Sequence, residues 1–541
     1  MNADTARHKL RVAKTLLDTG MFEPTRPDRV LRSLSALRRW GATPAGAYSS
    51  AAARYPERLA LVDERGALTF AEVHRRTNAL ARELTRAGVA EGDGVAIMCR
   101  NHRGFVEATV ACSKLGAGAL YLNTAFAGPQ ITDVLKREKP RAVIYDEEFG
   151  ELVHEGAARR ARFVAWSEPR ASPRRGSADP LLEELIARGD GSELGPPAEK
   201  GRVVILTSGT TGTPKGAARP QSDSIEPVAA LFSKIPLRAR ETTMIAAPMF
   251  HSWGFAHFLM GLPLVSTLVL RRKFDPEDTL RAIAHHRASA LVVVPVMLQR
   301  ILELPPETIA RYDTSSLKVI AVSGSVLPGE LATRVMDTFG DILYNLYGST
   351  EVAWATIATP EDLRAAPGTA GRPPMGTVVK LLDEQGREVR EGEGGRIFVA
   401  NELMFEGYTD GGGKEIVRGL MSTGDVGRFD AGGRLFVDGR DDEMIVSGGE
   451  NVFPREVEDL LADHHAIEEV AVVGVEDREF GQRLQAFVVP RDGGELTVEV
   501  VQAYVKENLA RYKVPRDVVF VDELPRNATG KILKRELRTH P

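Results

Sequence analysis

The sequence predicts a layered α/β protein, a large N-terminal multi-sheet domain followed by a small C-terminal α/β domain, and three observations predict it. Short apolar runs of strand length alternate with amphipathic stretches from about residue 46 onward. A chain of 541 residues, 43% apolar and 27% charged, is too long for a single core. The composition changes again after Arg440, where the remainder reads as a compact unit of its own. We therefore expect a helical extension over 1–45, a main domain over 46–441 and a C-terminal domain over 442–541.

Taken in order, the N-terminus carries Arg7, Lys9, Arg11 and Lys14 but no apolar run of signal-peptide length. Residues 29–40 place Val30, Leu31, Leu34 and Leu37 on one helical face with Arg29, Arg32, Arg38 and Arg39 around it. The expectation is a helix packed on the protein with its basic side in solvent; peripheral contact with an anionic membrane stays open. Leu59-Ala60-Leu61-Val62 reads as a strand, and Thr69 with Glu72 as a capping box opening a helix. Val95-Ala96-Ile97-Met98 and Ala142-Val143-Ile144-Tyr145 are further strands. Residues 168–200, rich in Pro, Gly, Arg and Ser, form a surface excursion with one short helix near 181–186.

Residues 244–270 contain no charge and are long enough to cross a bilayer. Pro248, Gly254, Gly261 and Pro263 interrupt them, and His251, Ser252, Trp253 and His257 add polar groups mid-segment. Buried strand–loop–helix structure lining a cavity is expected instead. After residue 440, strands over 470–475, 484–489 and 518–521 accompany a helix over 498–509.

The net charge of -4 excludes a globally basic nucleic-acid binder. Cys99 and Cys112 show no paired metal or redox spacing, which favours a reducing, cytoplasmic setting.

Chemistry concentrates in a few loops. Val203-Val204-Ile205-Leu206 runs into Thr207-Ser208-Gly209-Thr210-Thr211-Gly212-Thr213-Pro214-Lys215-Gly216, which offers phosphate several hydroxyls, unhindered N–H groups at Gly209 and Gly212, and the Lys215 cation. A nucleoside-triphosphatase loop would need Gly-Lys-Ser/Thr opening a helix. Here Lys215 follows Pro214, and Ala217-Ala218-Arg219 does not open one.

This segment resembles the signature loop of the adenylate-forming superfamily of acyl-CoA synthetases, adenylation domains and luciferases, and the similarity runs from about Gly46 to Lys531. The resemblance implies ATP, Mg2+ and coenzyme A as cofactors and co-substrates, and a mobile C-terminal domain. In Tyr347-Gly348-Ser349-Thr350-Glu351 it places Tyr347 against adenine, Thr350 on phosphate and Glu351 on the magnesium ion. In Ser323-Gly324-Ser325-Val326-Leu327-Pro328 it puts Gly324 and Ser325 beside adenine, with Ser323 toward the acyl pocket. Asp425, in Ser422-Thr423-Gly424-Asp425, would bind the ribose diol with Arg440 assisting. Asp442 would be the hinge, between Asp441 and Glu443. Gly448 and Gly449 would flank the path of the CoA arm. Lys531, in Pro525-Arg526-Asn527-Ala528-Thr529-Gly530-Lys531, would be the adenylation lysine.

Pro248-Met249-Phe250-His251-Ser252-Trp253-Gly254-Phe255 resembles the loop that lines the acyl pocket, which assigns His251 and Trp253 there. It holds no Lys or Arg for a second carboxylate and is apolar and aromatic, so a monocarboxylic fatty or aryl acid is favoured over a diacid or amino acid. The expected activity is ATP-dependent formation of a fatty acyl-adenylate and then its CoA thioester. An aryl-CoA ligase, a ligase loading a separate carrier protein, a luciferase-like oxygenase and a non-catalytic adenylate binder remain the alternatives. The partners implied are the acid, ATP and CoA, with no nucleic acid; a homodimer is left open.

Overall fold

The computed structural model describes residues 3–23, 25–157, 160–168, 179–207, 215–218, 224–409, 411–443, 445–447, 450–477, 481–491, 496–509, 513–527 and 530–537. The chain is mixed α/β and divides into two compact units, the first formed by 1–293, 300–321 and 402–413, the second by 294–299, 322–401 and 414–541. These units cut the chain elsewhere than at residue 441. A third helix, Pro44–Arg54, runs across residue 45.

Two sheets organise the first unit. One contains, in spatial order, Ala290–Val293, Thr242–Ile245, Thr267–Leu270, Leu59–Asp63 and Gly66–Thr69. The other runs Gly407–Tyr408, Lys215–Ala218, Val203–Thr207, Gly118–Tyr121, Gly94–Met98, Ala142–Asp146 and Ala161–Trp166. Its central strands are parallel and read as continuous apolar runs, as strands covered on both faces must. Met98, Val143, Tyr145 and Leu206 join Ile131, Val134 and Leu135 of helix Gly128–Glu138 in one core cluster.

The capping box is present: Thr69 accepts the Glu72 N–H at 3.2 Å while Glu72 accepts the Thr69 N–H at 2.7 Å, and helix Phe70–Arg86 follows. The uncharged stretch forms strand Thr242–Ile245, a loop, helix Ser252–Leu264 and strand Thr267–Leu270. Among the described residues no helix is long and apolar enough to cross a membrane. The short helix of the polar excursion is Leu182–Arg188. Both cysteines are free and buried.

The second unit holds the sheet Val378–Leu382, Gly395–Ala400, Leu420–Phe429 and Ile416–Val417, with Leu435–Arg440 also paired to Leu420–Phe429. It also holds a C-terminal sheet built on the long hairpin of Ile467–Asp477 and Gly481–Pro490, longer than the two apolar runs suggest because its polar ends still pair. Helices Pro454–Ala462 and Val498–Asn508 close a core of Val457, Leu461, Val472, Leu484, Val501 and Val505.

One expectation is corrected. Helix Pro27–Trp40 turns Ser33 and Trp40 inward, while Leu31, Leu34 and Leu37 are exposed. The Ser33 hydroxyl meets the Ser50 hydroxyl at 2.7 Å, and the small side chains of Pro44–Arg54 admit the close approach. Close packing against that helix, rather than the leucine stripe, sets the orientation.

Candidate active site

The antiparallel register of Leu420–Phe429 against Leu435–Arg440 sets Asp425 opposite Arg440. Gly424, at φ +80, precedes Asp425, and a Cβ there would lie 3.2 Å from an Arg440 nitrogen, so glycine lets the guanidinium rest against the turn. Arg440 Nη1 then donates to Asp425 Oδ1 at 3.3 Å. The other carboxylate oxygen accepts the Tyr347 hydroxyl at 2.5 Å, from the end of strand Leu343–Tyr347. Thr423 Oγ1 accepts a second contact from the Tyr347 hydroxyl at 3.2 Å and the Asp425 N–H at 3.1 Å.

These neighbours compete over the Asp425 charge. Burial pushes its carboxyl up, and Tyr347, Arg440 and the Lys531 charge only partly offset that. Burial and Asp425 together push the Tyr347 phenol well above its ordinary range, so it stays a hydrogen-bond donor.

Lys531 is exposed at the end of a closed turn. The Asn527 N–H donates to the Lys531 carbonyl at 2.9 Å, the Gly530 N–H to the Asn527 carbonyl at 2.9 Å, and Asn527 Oδ1 accepts the Lys531 N–H at 2.9 Å. Gly530 sits at φ +78, where a Cβ would fall 2.6 Å from Val296. Arg526 donates to the Gly530 carbonyl at 2.6 Å and to Glu469 at 2.7 Å, which fixes the base of the turn.

Glu351 is buried and Thr350 half-buried in the turn after Tyr347. Ser349 Oγ accepts the N–H of Glu351 at 3.2 Å, and Asn401 Nδ2 donates to the carbonyls of Val352 and Trp354 at 2.7 and 2.9 Å. A Cβ at Gly348 would strike the Ala353 carbonyl at 2.4 Å. Ser323 is buried and Ser325 half-buried after strand Val319–Val322, with Gly324 between them at φ +99. The second unit thus brings Tyr347, Asp425 and Arg440 into contact, with the Lys531 charge felt at Asp425. Thr423 stands in the Ser422–Asp425 motif without a role assigned there, and Asn401 belongs to none of the motifs.

At the boundary, Asp441 pairs with Arg396 at 2.9 Å, and Glu443 lies 3.5 Å from Lys534, which also holds Glu458 at 2.8 Å. The side chain of Asp442 lies outside the described residues, as do Gly448 and Gly449.

In the first unit, Val203–Thr207 pairs antiparallel with Lys215–Ala218, Thr207 opposite Lys215, so Lys215 opens a strand and not a helix. Its ammonium lies 5.3 Å from the centre of the Tyr408 ring. Ser208, Gly209, Thr210, Thr211 and Gly212 lie outside the described residues, as does the side chain of Thr207. His251 precedes helix Ser252–Leu264, 3.5 Å from Asn123, and burial pushes its imidazole down to about 4, so it is neutral. Trp253 Nε1 donates to the Val293 carbonyl at 3.0 Å. His257 packs edge-on to Trp253; burial drives its imidazole down to about 3, and its Nε2 has no hydrogen-bond partner among the described residues.

Comparison with known proteins gives the frame for this site. The AMP-binding enzyme family matches residues 48–409, and the AMP-binding enzyme C-terminal domain matches 456–531. The chain belongs to the AMP-binding, adenylate-forming enzyme family. Among family members, a feruloyl-CoA synthase from Amycolatopsis sp is 33% identical over 87% of this chain and 94% of its own. An indoleacetate–CoA ligase from Aromatoleum aromaticum is 33% identical over 90% of this chain and 94% of its own. The solved o-succinylbenzoate CoA synthetase from Bacillus subtilis, in complex with its acyl-adenylate intermediate, superposes with a TM-score of 0.79 at 27% identity, over 92% of this chain and 98% of that one. Adenylate-forming CoA ligases use ATP, Mg2+ and CoA, and the residues here suit them. Asp425 keeps acceptor capacity beyond its two partners, and Glu351 is a buried carboxylate.

Proposed function

We propose that this enzyme is an AMP-forming acid–CoA ligase acting on a monocarboxylic acid with an apolar, ring-bearing acyl group. The observation that carries the ligase reading is the Asp425 carboxylate, gripped by Tyr347 and Arg440 within range of the Lys531 charge. A carboxylate carries about four acceptor sites, so Asp425 can still receive both hydroxyls of a ribose. Tyr347 and Arg440 hold it in place, and Gly324, Ser325 and Gly348 are assigned to the nucleotide site with it.

In the first half-reaction a carboxylate oxygen of the acid bonds to the α-phosphorus of ATP while the bond to pyrophosphate breaks. Lys531 bridges the two approaching anions, and Lys215, Thr350 and the loop 207–212 receive phosphate oxygens. Magnesium, when bound at Glu351, would neutralise phosphate charge. In the second half the CoA thiol, losing its proton, bonds to the acyl carbon and AMP leaves. Residues 442–541 swing about Asp442 between the halves, with Gly448 and Gly449 beside the CoA arm.

The acid is read from the uncharged stretch around His251 and Trp253. Its histidines are neutral, so it supplies no cation for a second carboxylate. The unpartnered Nε2 of His257 is an acceptor suited to a ring hydroxyl or ring N–H. The ring-bearing acids named for the relatives support an aryl acid over the straight-chain fatty acid first expected. Pyrophosphate release tests this with ATP, Mg2+ and a panel of benzoate, cinnamates, indoleacetate and alkanoates from acetate to oleate, with and without CoA. Turnover of ring acids to acyl-CoA supports the proposal. Turnover of alkanoates alone restores the fatty-acid reading, and acid-independent or absent pyrophosphate release across the panel refutes the ligase.

A further inference from the structure

The first forty residues differ from the rest of the surface in two ways. Of fourteen exposed large apolar side chains among the described residues, six fall here: Leu10, Leu17, Phe22, Leu31, Leu34 and Leu37. The other eight are spread from Leu59 to Phe520. The same forty residues hold nine Lys and Arg against four Asp and Glu, a charge of +5, so the remaining chain carries -9.

Neither helix needs its outward leucines for packing. Helix Ala3–Asp18 buries Val12 and Leu16, and His8 holds Glu226 at 3.0 Å beside helix Glu226–Phe232. Leu10, Lys14 and Leu17 then share the outer side at spacings of four and three. In Pro27–Trp40, Ser33 and Trp40 face inward, and Leu31, Leu34 and Arg38 recur outward at spacings of three and four. Exposing such leucines to water is unfavourable, and interleaving them with cations is the pattern of a helix lying in a lipid interface. Both helices precede residue 48, where the match to the AMP-binding family begins.

We propose that these two helices dock the enzyme on an anionic phospholipid surface, leucines in the headgroup–acyl boundary and Lys14, Arg32 and Arg38 on lipid phosphates. Charge decides between this surface and a second copy of the chain. Two faces of +5 repel each other, whereas an anionic bilayer attracts each of them. The docking does not depend on which acid the enzyme activates, so a failed binding assay and a failed substrate panel are distinguishable.

The test is cosedimentation of the full chain with vesicles of phosphatidylcholine alone, or mixed one to one with phosphatidylglycerol, at low and high salt. The expected result is binding to the mixed vesicles only, weakened by salt. The triple substitution Lys14→Gln, Arg32→Gln, Arg38→Gln should weaken it on the order of a hundredfold, from roughly fivefold per cation. Leu31→Ser with Leu34→Ser should weaken it at least tenfold, and both variants should keep full activity without vesicles. Absence of binding to the mixed vesicles overturns the proposal. So does equal binding by wild type and both variants, or a concentration-dependent dimer that the serine variant abolishes.

Discussion

Asp63 and Asp425 both face an arginine, the first buried and the second half-buried, yet their surroundings differ in kind. Asp63, in the first unit, accepts Arg103 Nη2 at 2.6 Å, Arg103 Nε at 3.1 and 3.0 Å, the Arg103 N–H at 2.9 Å and the Arg65 N–H at 2.9 Å. Burial alone would raise its carboxyl, but these bonds hold it below the ordinary range. Asp425 has one short bond and one long one, and its carboxyl is raised. A carboxylate saturated by its own chain, as Asp63 is, serves the fold; the spare acceptor capacity of Asp425 is what the proposed ribose contact requires.

The largest expected effect that sharpens this contrast is at Lys531. Its side chain is exposed, so Lys531→Ala should leave the denaturation midpoint unchanged while acid-dependent ATP–pyrophosphate exchange falls on the order of a hundredfold or more. A matched loss of stability would mean that Lys531 serves the fold.

Next come the two aspartates themselves. Asp63→Asn leaves the Arg103 charge buried without its counter-ion and should cost about 3–5 kcal/mol in urea unfolding. Asp425→Asn keeps an acceptor for Tyr347 and should cost less than about 1 kcal/mol, while the KM for ATP rises roughly tenfold, as expected for a lost charge-assisted bond. Their pH signatures are opposite. The lowered Asp63 contributes stability that is present above 3.8 and lost as pH falls through its depressed value. The raised Asp425 binds its proton more tightly folded than unfolded, so its contribution declines as pH rises from 3.8 through its elevated value. Acid titration of the two Asn variants against wild type separates them.

This contrast was half legible in the sequence. Strand runs such as 95–98 and 142–145, the Thr69–Glu72 capping box and the broken apolar stretch 244–270 follow from local pattern, and the structure has each of them. The turn glycines Gly424 and Gly530 could be read because tight turns favour a residue at positive φ, and both sit there, at +80 and +78. The Tyr347–Asp425 bond could not, since it joins strands 78 residues apart. The outward leucines of Pro27–Trp40 were also illegible: periodicity gives a face, but only the partner helix decides which face turns in.

The smallest effect concerns a second lysine, the counterpart of exposed Lys531. Lys114, on helix Arg103–Leu115, is buried against helix Phe70–Arg86, donating to the His74 carbonyl at 2.9 Å, Thr77 Oγ1 at 2.8 Å and Asn78 Oδ1 at 2.5 Å. Burial pushes its ammonium down to about 7; Glu193 opposes that and Arg82 adds to it. His74, also facing it, is pushed below its ordinary range by burial and by Lys114 itself, so it titrates beneath this window. From about pH 7 upward the unfolded chain keeps a proton that folded Lys114 has released, so stability should rise with pH. The slope is at most about 1.4 kcal/mol per pH unit. Above about pH 9 the trend reverses, because burial raises the Cys99 and Cys112 thiols and the folded chain then retains protons that the unfolded chain loses. Unfolding free energies from urea titrations between pH 7 and 8.5 should therefore climb for the wild type, by about 1–2 kcal/mol, and stay level for Lys114→Met. An equal climb in that variant would show that the three hydrogen bonds keep Lys114 charged throughout, making it as saturated as Asp63.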